Sequence, residues 1–147
     1  MYRHLLVATD GSKLSAKAVA HAIALAQSHG GKLTAFYASP DYPTPLYAEG
    51  MAYMPMTPKE YKAICTKQAD KILKPILLSA EAAGLDFNSV HAIAATPWEA
   101  ILAAARKNKC DAIVMASHGR RGVSALLLGS ETQKVLTHAK VPVIVVR

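Results

Sequence analysis

The chain has 147 residues, of which 52% are hydrophobic and 18% charged, a composition that supports one cored domain over residues 1–147 and excludes a disordered chain. Its formal net charge is +7, from 17 Lys+Arg against 10 Asp+Glu, which admits an anionic partner. The basic residues are scattered, though. The densest sets are Arg106-Lys107-Lys109 and Arg120-Arg121, with no aromatic-interleaved stripe, so a solvated basic surface is expected rather than a specific nucleic-acid site.

No apolar run approaches the roughly 20 residues needed to cross a bilayer, and the first residues lack the apolar length of a signal peptide. Cys65 and Cys110 form no metal-ligand spacing. They are expected to be reduced thiols of a cytoplasmic protein.

His4 to Thr9 is a short apolar run ending at Asp10-Gly11-Ser12, the pattern of a strand buried on both faces and then a turn. From Ser15 the apolar residues Ala16, Val19, Ala20, Ile23, Ala24 and Ala26 recur at helical spacing. Ser12 or Ser15 can cap this helix, and Gly30-Gly31 ends it. Leu33 to Ser39 reads as the second strand.

Residues 40–57 contain four prolines and a glycine, which predict no regular structure over most of the stretch. Tyr42, Tyr47, Tyr53, Met51, Met54 and Met56 make it apolar. It can be a flap over the domain's own surface or a contact for a ligand or partner.

Thr57-Pro58-Lys59-Glu60 is a helix start with a capping box and proline at the first helical position. The helix is predicted to reach Ala83, with Gly84 beyond it. Ile64, Ile72, Leu73, Ile76 and Leu77 form its apolar face, and Pro75 is expected to bend it. Asn88 to Ala94 is the third strand. Thr96-Pro97-Trp98-Glu99 opens a helix burying Ile101, Leu102 and Ala105. Ala112 to Ala116 is the fourth strand, about Ser130 to His138 the last helix, and Val141 to Val146 the fifth strand.

Strand and helix alternate throughout, so the fold class is α/β, an open parallel sheet with helices on both faces. Pro142 belongs near an edge or a strand start because it cannot donate to a ladder. An apolar strand at an edge invites pairing, which a two-fold dimer through Val141 to Val146 satisfies.

Ligands of such sheets bind beyond the strands' C-terminal ends, where strand order reverses. Two loops are candidates to meet there: Thr9-Asp10-Gly11-Ser12, and Ser117 to Gly129 with glycines at 119, 122 and 129. Asp10 can accept from ribose hydroxyls or hold a divalent ion through water; it can equally be a turn residue or cap. The second loop enters a helix at Ser130, where amide N–H groups and the helix dipole suit an anion.

The segments L-L-V-A-T-D-G-S, D-A-I-V-M-A, S-H-G-R-R-G-V-S-A-L-L-L-G-S and V-P-V-I-V-V-R, in this order and spacing, resemble the universal stress protein family over essentially the whole chain. The resemblance implies a five-stranded sheet in the order 3-2-1-4-5, Rossmann-like or adenine nucleotide alpha hydrolase-like. It also implies a homodimer through the last strand and a cytoplasmic role in stress adaptation. The ATP-binding branch carries Gly-x2-Gly-x9-Gly-Ser/Thr after the fourth strand. Here Gly119, nine intervening residues and Gly129-Ser130 supply the second half, while Ala116 stands in place of the first glycine.

By the same resemblance the ligand is an adenine nucleotide, ATP with or without Mg2+. Asp10, beside Thr9, faces ribose or phosphate, and Ala38 meets adenine through its backbone. Met115 lies beside base or ribose at the strand end that Ala116 completes. Gly119, Arg120, Gly129, Ser130 and Glu131 line the phosphates. Ala116 has three possible consequences: strain if the site needs positive φ, a methyl against the ligand if it needs close approach, or little if it is ordinary strand. The alternative is a stress protein that binds no nucleotide and acts through protein contacts.

The six histidines form no metal-ligand spacing. His118 is placed for a loop hydrogen bond or a minor part in proton transfer. The Walker pattern and a Ser-His-Asp elbow are absent, so any ATP hydrolysis is expected to be slow.

Overall fold

The structure, a computed structural model, describes residues 2–43, 46–48, 51–53, 56–119 and 128–147, with side chains left aside at 46–48 and 51–53. Its elements are β1 His4–Thr9, α1 Lys13–His29, β2 Lys32–Ser39, β3 Leu46–Ala48, β4 Met51–Tyr53, α2 Pro58–Ala82, β5 Asp86–Ile93, α3 Pro97–Lys107, β6 Ala112–Ala116, α4 Ser130–His138 and β7 Val143–Val146.

The main sheet is parallel, in the order β5-β2-β1-β6-β7, so its strands in chain order stand 3-2-1-4-5. β1 sits centrally. It pairs Leu5 with Leu33 on one side and with Ala112 on the other, and its residues from Leu5 to Thr9 are buried. Alternation splits its side chains between two cores. Leu5 and Val7 join α1 and α2, including Val19, Ala22, Leu73 and Ile76. Leu6 and Ala8 join α3 and α4, including Ile101, Ala105 and Val135. Helices therefore cover both faces, and strand order reverses between β1 and β6.

The helix ends follow their local chemistry. Ser12 caps α1 by accepting from Ser15 N at 3.1 Å, and Gly30 ends it in the left-handed region at φ 60°. At α2, Thr57 Oγ1 accepts from Glu60 N at 3.2 Å, while Glu60 Oε2 accepts from Thr57 N at 2.7 Å. Gly84, at φ +71°, lies just beyond that helix.

Four expectations need correcting. Residues 46–48 and 51–53 form an antiparallel strand pair inside the stretch read as irregular. Its prolines, at 40, 43, 45 and 55, all lie outside those strands. Tyr61 OH donates to Pro40 O at 2.6 Å and Asp41 O at 3.0 Å, and Tyr42 OH donates to Met56 O, which ties the two ends of this stretch together. Ile64 is 54% exposed, because α2 turns Cys65 and Ala69 to the sheet instead. β5 begins at Asp86, whose carboxylate pairs with Lys32, and stops at Ile93; Ala94 N continues only as a donor to Ser39 O at 3.0 Å. β7 begins at Val143, after Pro142, whose carbonyl accepts from Ile113 N at 2.9 Å.

Two histidines are lodged in the sheet. His4 Nε2 lies 2.8 Å from Thr34 Oγ1, and His91 Nε2 lies 2.8 Å from Ser39 Oγ with its ring stacked on Tyr37. Burial is the main cause lowering both pKa values from the usual 6.5; Lys32 adds to it at His4, while Asp111 and Asp86 oppose it there and Asp70 opposes it at His91. The unfolded chain thus binds protons more readily at these sites. Their stabilising effect is full above pH 6.5 and is lost as pH falls toward the folded-state values. Thermal melts followed by circular dichroism are expected to show the midpoint falling from pH 7 to pH 5, with a shallower fall in His91→Gln.

Candidate functional site

The turn after β1 is wired by its own side chains. Thr9 Oγ1 accepts from Gly11 N at 3.1 Å and lies 2.9 Å from Ser15 Oγ. Ser15 Oγ donates to Ser12 O at 2.9 Å, and Asp10 Oδ1 accepts from Ser12 N at 2.9 Å. Gly11 takes φ +77°, a conformation a side chain would strain. Asp10 is thereby held at the C-terminal end of β1 with a fixed carboxylate direction. Ser15 is the member of this network that the sequence offered only as a helix cap.

The loop after β6 meets that carboxylate. A Cβ at Gly119 would lie 2.5 Å from Asp10 Oδ2, so a side chain there would have to displace that carboxylate; the demand is one of space, not of φ. Gly129 has the same kind of reason. Its backbone is extended at φ −61°, ψ 149°, and a Cβ would lie 3.1 Å from His118 Cα. Gly129 N donates to Ser117 O at 2.8 Å, which folds the start of α4 back onto the start of the loop.

Among the described residues no side chain caps α4, whose N-cap is Gly129. The first amides of a helix have no intrahelical acceptor, and here they begin at Ser130, an exposed residue directly after Gly129. The site thus combines the Asp10 turn, Gly119 and an uncapped helix start, which is a donor arrangement suited to phosphate. Arg120 and Arg121 lie outside the described residues. His118 Nδ1 lies 3.2 Å from Ser117 Oγ, a loop hydrogen bond. Among the described residues no group of three or more His, Cys, Asp or Glu side chains is arranged to hold a metal ion.

Ala116 is ordinary strand. Among the described residues the one non-glycine with positive φ is Lys109. Ala116 pairs with Val146, Ser117 N donates to Val146 O at 2.8 Å, and the Ala116 carbonyl accepts from Thr132 Oγ1 at 3.0 Å. Its methyl is buried in the α1/α2 core, against which Ile144 and Val146 pack. Met115 faces the other core with Ala8 and Phe36. Ala38, half-buried on that same side, pairs with Ala92. The Thr132 hydroxyl had no sequence signal; its partner is a backbone atom sixteen residues away.

Glu131 turns away from the loop. Its Oε2 accepts from Trp98 N at 2.8 Å and its Oε1 lies 3.5 Å from Lys134 Nζ. It therefore serves the N-terminus of α3, which Thr96 does not cap, since the Thr96 hydroxyl donates to Glu99 instead at 2.8 Å. Trp98 also meets His138 with ring centroids 4.6 Å apart, joining α3 to α4.

The profile of the universal stress protein family matches residues 1–147. A universal stress protein of Thermus aquaticus, from the QAH/OAS sulfhydrylase 3' region, is 34% identical over 151 residues, covering 100% of both chains. Among solved structures, universal stress protein UspA from Lactobacillus plantarum superposes with a TM-score of 0.81 at 23% identity, covering 99% of this chain and 98% of that one. A universal stress protein from Archaeoglobus fulgidus in complex with dAMP gives 0.69 at 17% identity, covering 99% and 98%. A universal stress protein in complex with cAMP gives 0.67 at 25% identity, covering 99% and 97%.

Two substitutions probe this geometry through urea denaturation. Gly119→Ala drives a methyl toward the Asp10 carboxylate and is expected to cost about 1–3 kcal/mol, with part of the loss recovered when Asp10→Ala is added. Ala116→Gly, placed in extended buried strand, is expected to destabilise by about 0.5–1 kcal/mol. A gain in stability would show that alanine is strained there.

Proposed function

The chain belongs to the universal stress protein family, and we propose that it is an adenine-nucleotide-binding module acting as a sensor or regulator in a stress response. The observation that carries this reading is the meeting of the Asp10 turn with Gly119 beside the uncapped start of α4 at Gly129-Ser130. Relatives of the same fold in complex with dAMP and with cAMP support it.

In this reading the phosphates of ATP lie against the first amides of α4 and the Ser130 hydroxyl, with Arg120 adding charge. Asp10 accepts from the ribose or holds Mg2+ through water next to the phosphates. Adenine lies toward Ala38, reading its backbone, with Met115 beneath base or ribose. Glu131 contributes its backbone amide, since its carboxylate serves α3. The Thr9 hydroxyl keeps the turn in shape rather than touching the ligand. Ala116 leaves the site open because its methyl is spent in the core.

In this reading hydrolysis is slow at most, as the sequence carries neither a Walker pattern nor a Ser-His-Asp elbow. We further propose that β7, the edge strand at one side of the sheet, pairs with its copy in a second chain to form a cytoplasmic homodimer.

Calorimetric titration with Mg-ATP tests the nucleotide reading. Saturable one-to-one heat is expected with the wild type. It is expected to fall by at least about tenfold in affinity in Gly129→Trp, whose side chain has no room beside His118. An absence of heat with the wild type would overturn the reading.

A further inference from the structure

The α1/α2 side of the molecule carries a groove of about 600 Å³ that the nucleotide reading leaves unused. α1 packs over β1 and β6, and α2 over β2 and β5, so the helices stand about two strand spacings apart, roughly 9.6 Å. Side chains of ordinary size fill the space between helices at that distance. Here α1 offers Ala16, Ala20 and Ala24, three exposed alanines on successive turns, whose methyls are too short to reach across. Below them Ile23, Ile72 and Ile76 make an apolar floor.

The two ends of the groove differ. At the far end Gln27 Nε2 donates to Ala83 O at 3.2 Å, bridging the helices, and Ser79 Oγ donates to Pro75 O at 3.0 Å. The Gln27 bridge spans the groove at that end. The near end opens beside Lys71 and the Thr9–Ser12 turn. Charge beside it is chiefly positive, apart from Asp10 of the turn, whose carboxylate is directed to Gly119 of the loop after β6. α1 contains no acidic residue and exposes Lys13 and Lys17. On α2, Asp70 bears on His91 of β5, the flank away from α1. Ile64 and Leu78, seven residues to either side of Lys71 and 54% and 56% exposed, extend an apolar lip along α2.

Shape selects the occupant. From Ser12 to Gln27 the groove follows α1 for about 22 Å. Its lining along that length is mostly apolar, so an extended apolar chain can lie in it. A second copy would bring two positive faces together. A single hydrocarbon chain fits, with an anionic head at the lysine end. We propose that this groove binds a fatty acid, its tail between α1 and α2 and its carboxylate beside Lys71.

Palmitate, kept below its micelle concentration, is titrated into delipidated full-length protein and followed by ¹H–¹⁵N NMR. Saturable one-to-one shifts are expected at the amides of Ala16 to Ala24 and Ile72 to Ser79. Octanoate is expected to bind more than about tenfold more weakly, because it buries fewer methylenes. Ala20→Phe, at an exposed position, fills the groove and is expected to weaken palmitate by at least about tenfold while leaving the Mg-ATP heat unchanged. Lys71→Glu is expected to weaken palmitate but not its methyl ester, an arm that stands even if Ala20→Phe fails to fold.

Absence of saturable binding, equal affinity for octanoate, or binding unchanged in both variants would overturn the proposal. So would binding to phosphatidylglycerol vesicles without binding to free palmitate, which would make this face a membrane contact. Because palmitate and Mg-ATP are read separately, failure of one reading is distinguishable from failure of the other.

Discussion

The approach of Asp10 to Gly119 is the contact from which the rest of the site takes its shape. The two residues are 109 positions apart, yet a methyl group on Gly119 would meet the Asp10 carboxylate at 2.5 Å. The sheet makes this possible. β1 lies between β2 and β6, so the turn that leaves β1 and the loop that leaves β6 start side by side at the same end of the sheet. The turn cannot drift, because Thr9, Ser12 and Ser15 bind its backbone and one another. The two ends of the loop are joined, because Gly129 N donates to Ser117 O at 2.8 Å. Fixed carboxylate, glycine and helix start follow from these few short-range bonds placed on a rigid edge-to-edge frame.

The same frame explains how its two faces differ. Between α3 and α4 the large rings of Trp98 and His138 meet, and the Glu131 carboxylate completes the hydrogen bonding of α3. Between α1 and α2 the corresponding surface is alanine over a floor of isoleucine, and Gln27 reaches across to Ala83. Alanine suits α1 for another reason as well. Ala18, Ala22 and Ala26 let the helix sit close on the central strands, and all three are nearly or fully buried. A helix that is small on its sheet face and on its flank packs tightly below and leaves space beside it.

Much of this architecture was legible in the residues because it rests on local rules. The bounds of β1, β6 and α4 follow from an apolar run or a helix period broken by Gly, Asp or Ser, and the capping box at Thr57 was visible as a four-residue pattern. The short β3–β4 pair was hidden because proline density was read over the whole stretch, whereas the strands occupy the gaps between prolines. Ile64 was misplaced because α2 is long and the sheet selects Cys65 and Ala69, smaller residues at the same period. The Asp10 turn, Gly119 and Gly129 could be marked as site residues from sequence. The Glu131–Trp98 and Thr132–Ala116 bonds could not, since both join residues brought together only by the fold.

The glycines of such a loop are often weighed as equals, and their physical demands here are unlike. Gly11 serves a positive φ. Gly119 and Gly129 serve space, one against a carboxylate and the other against the backbone of His118. The position that alanine occupies at 116 serves neither, since it is the last residue of a paired strand with its side chain directed to the core. Replacing glycine there adds a methyl to a hydrophobic cluster and removes backbone entropy from the unfolded chain, and both effects favour the folded state. The departure from the family's pattern therefore falls on a strand position where a side chain is an advantage. Gly119 and Gly129 keep the residue that leaves room for Asp10 and for the backbone of His118.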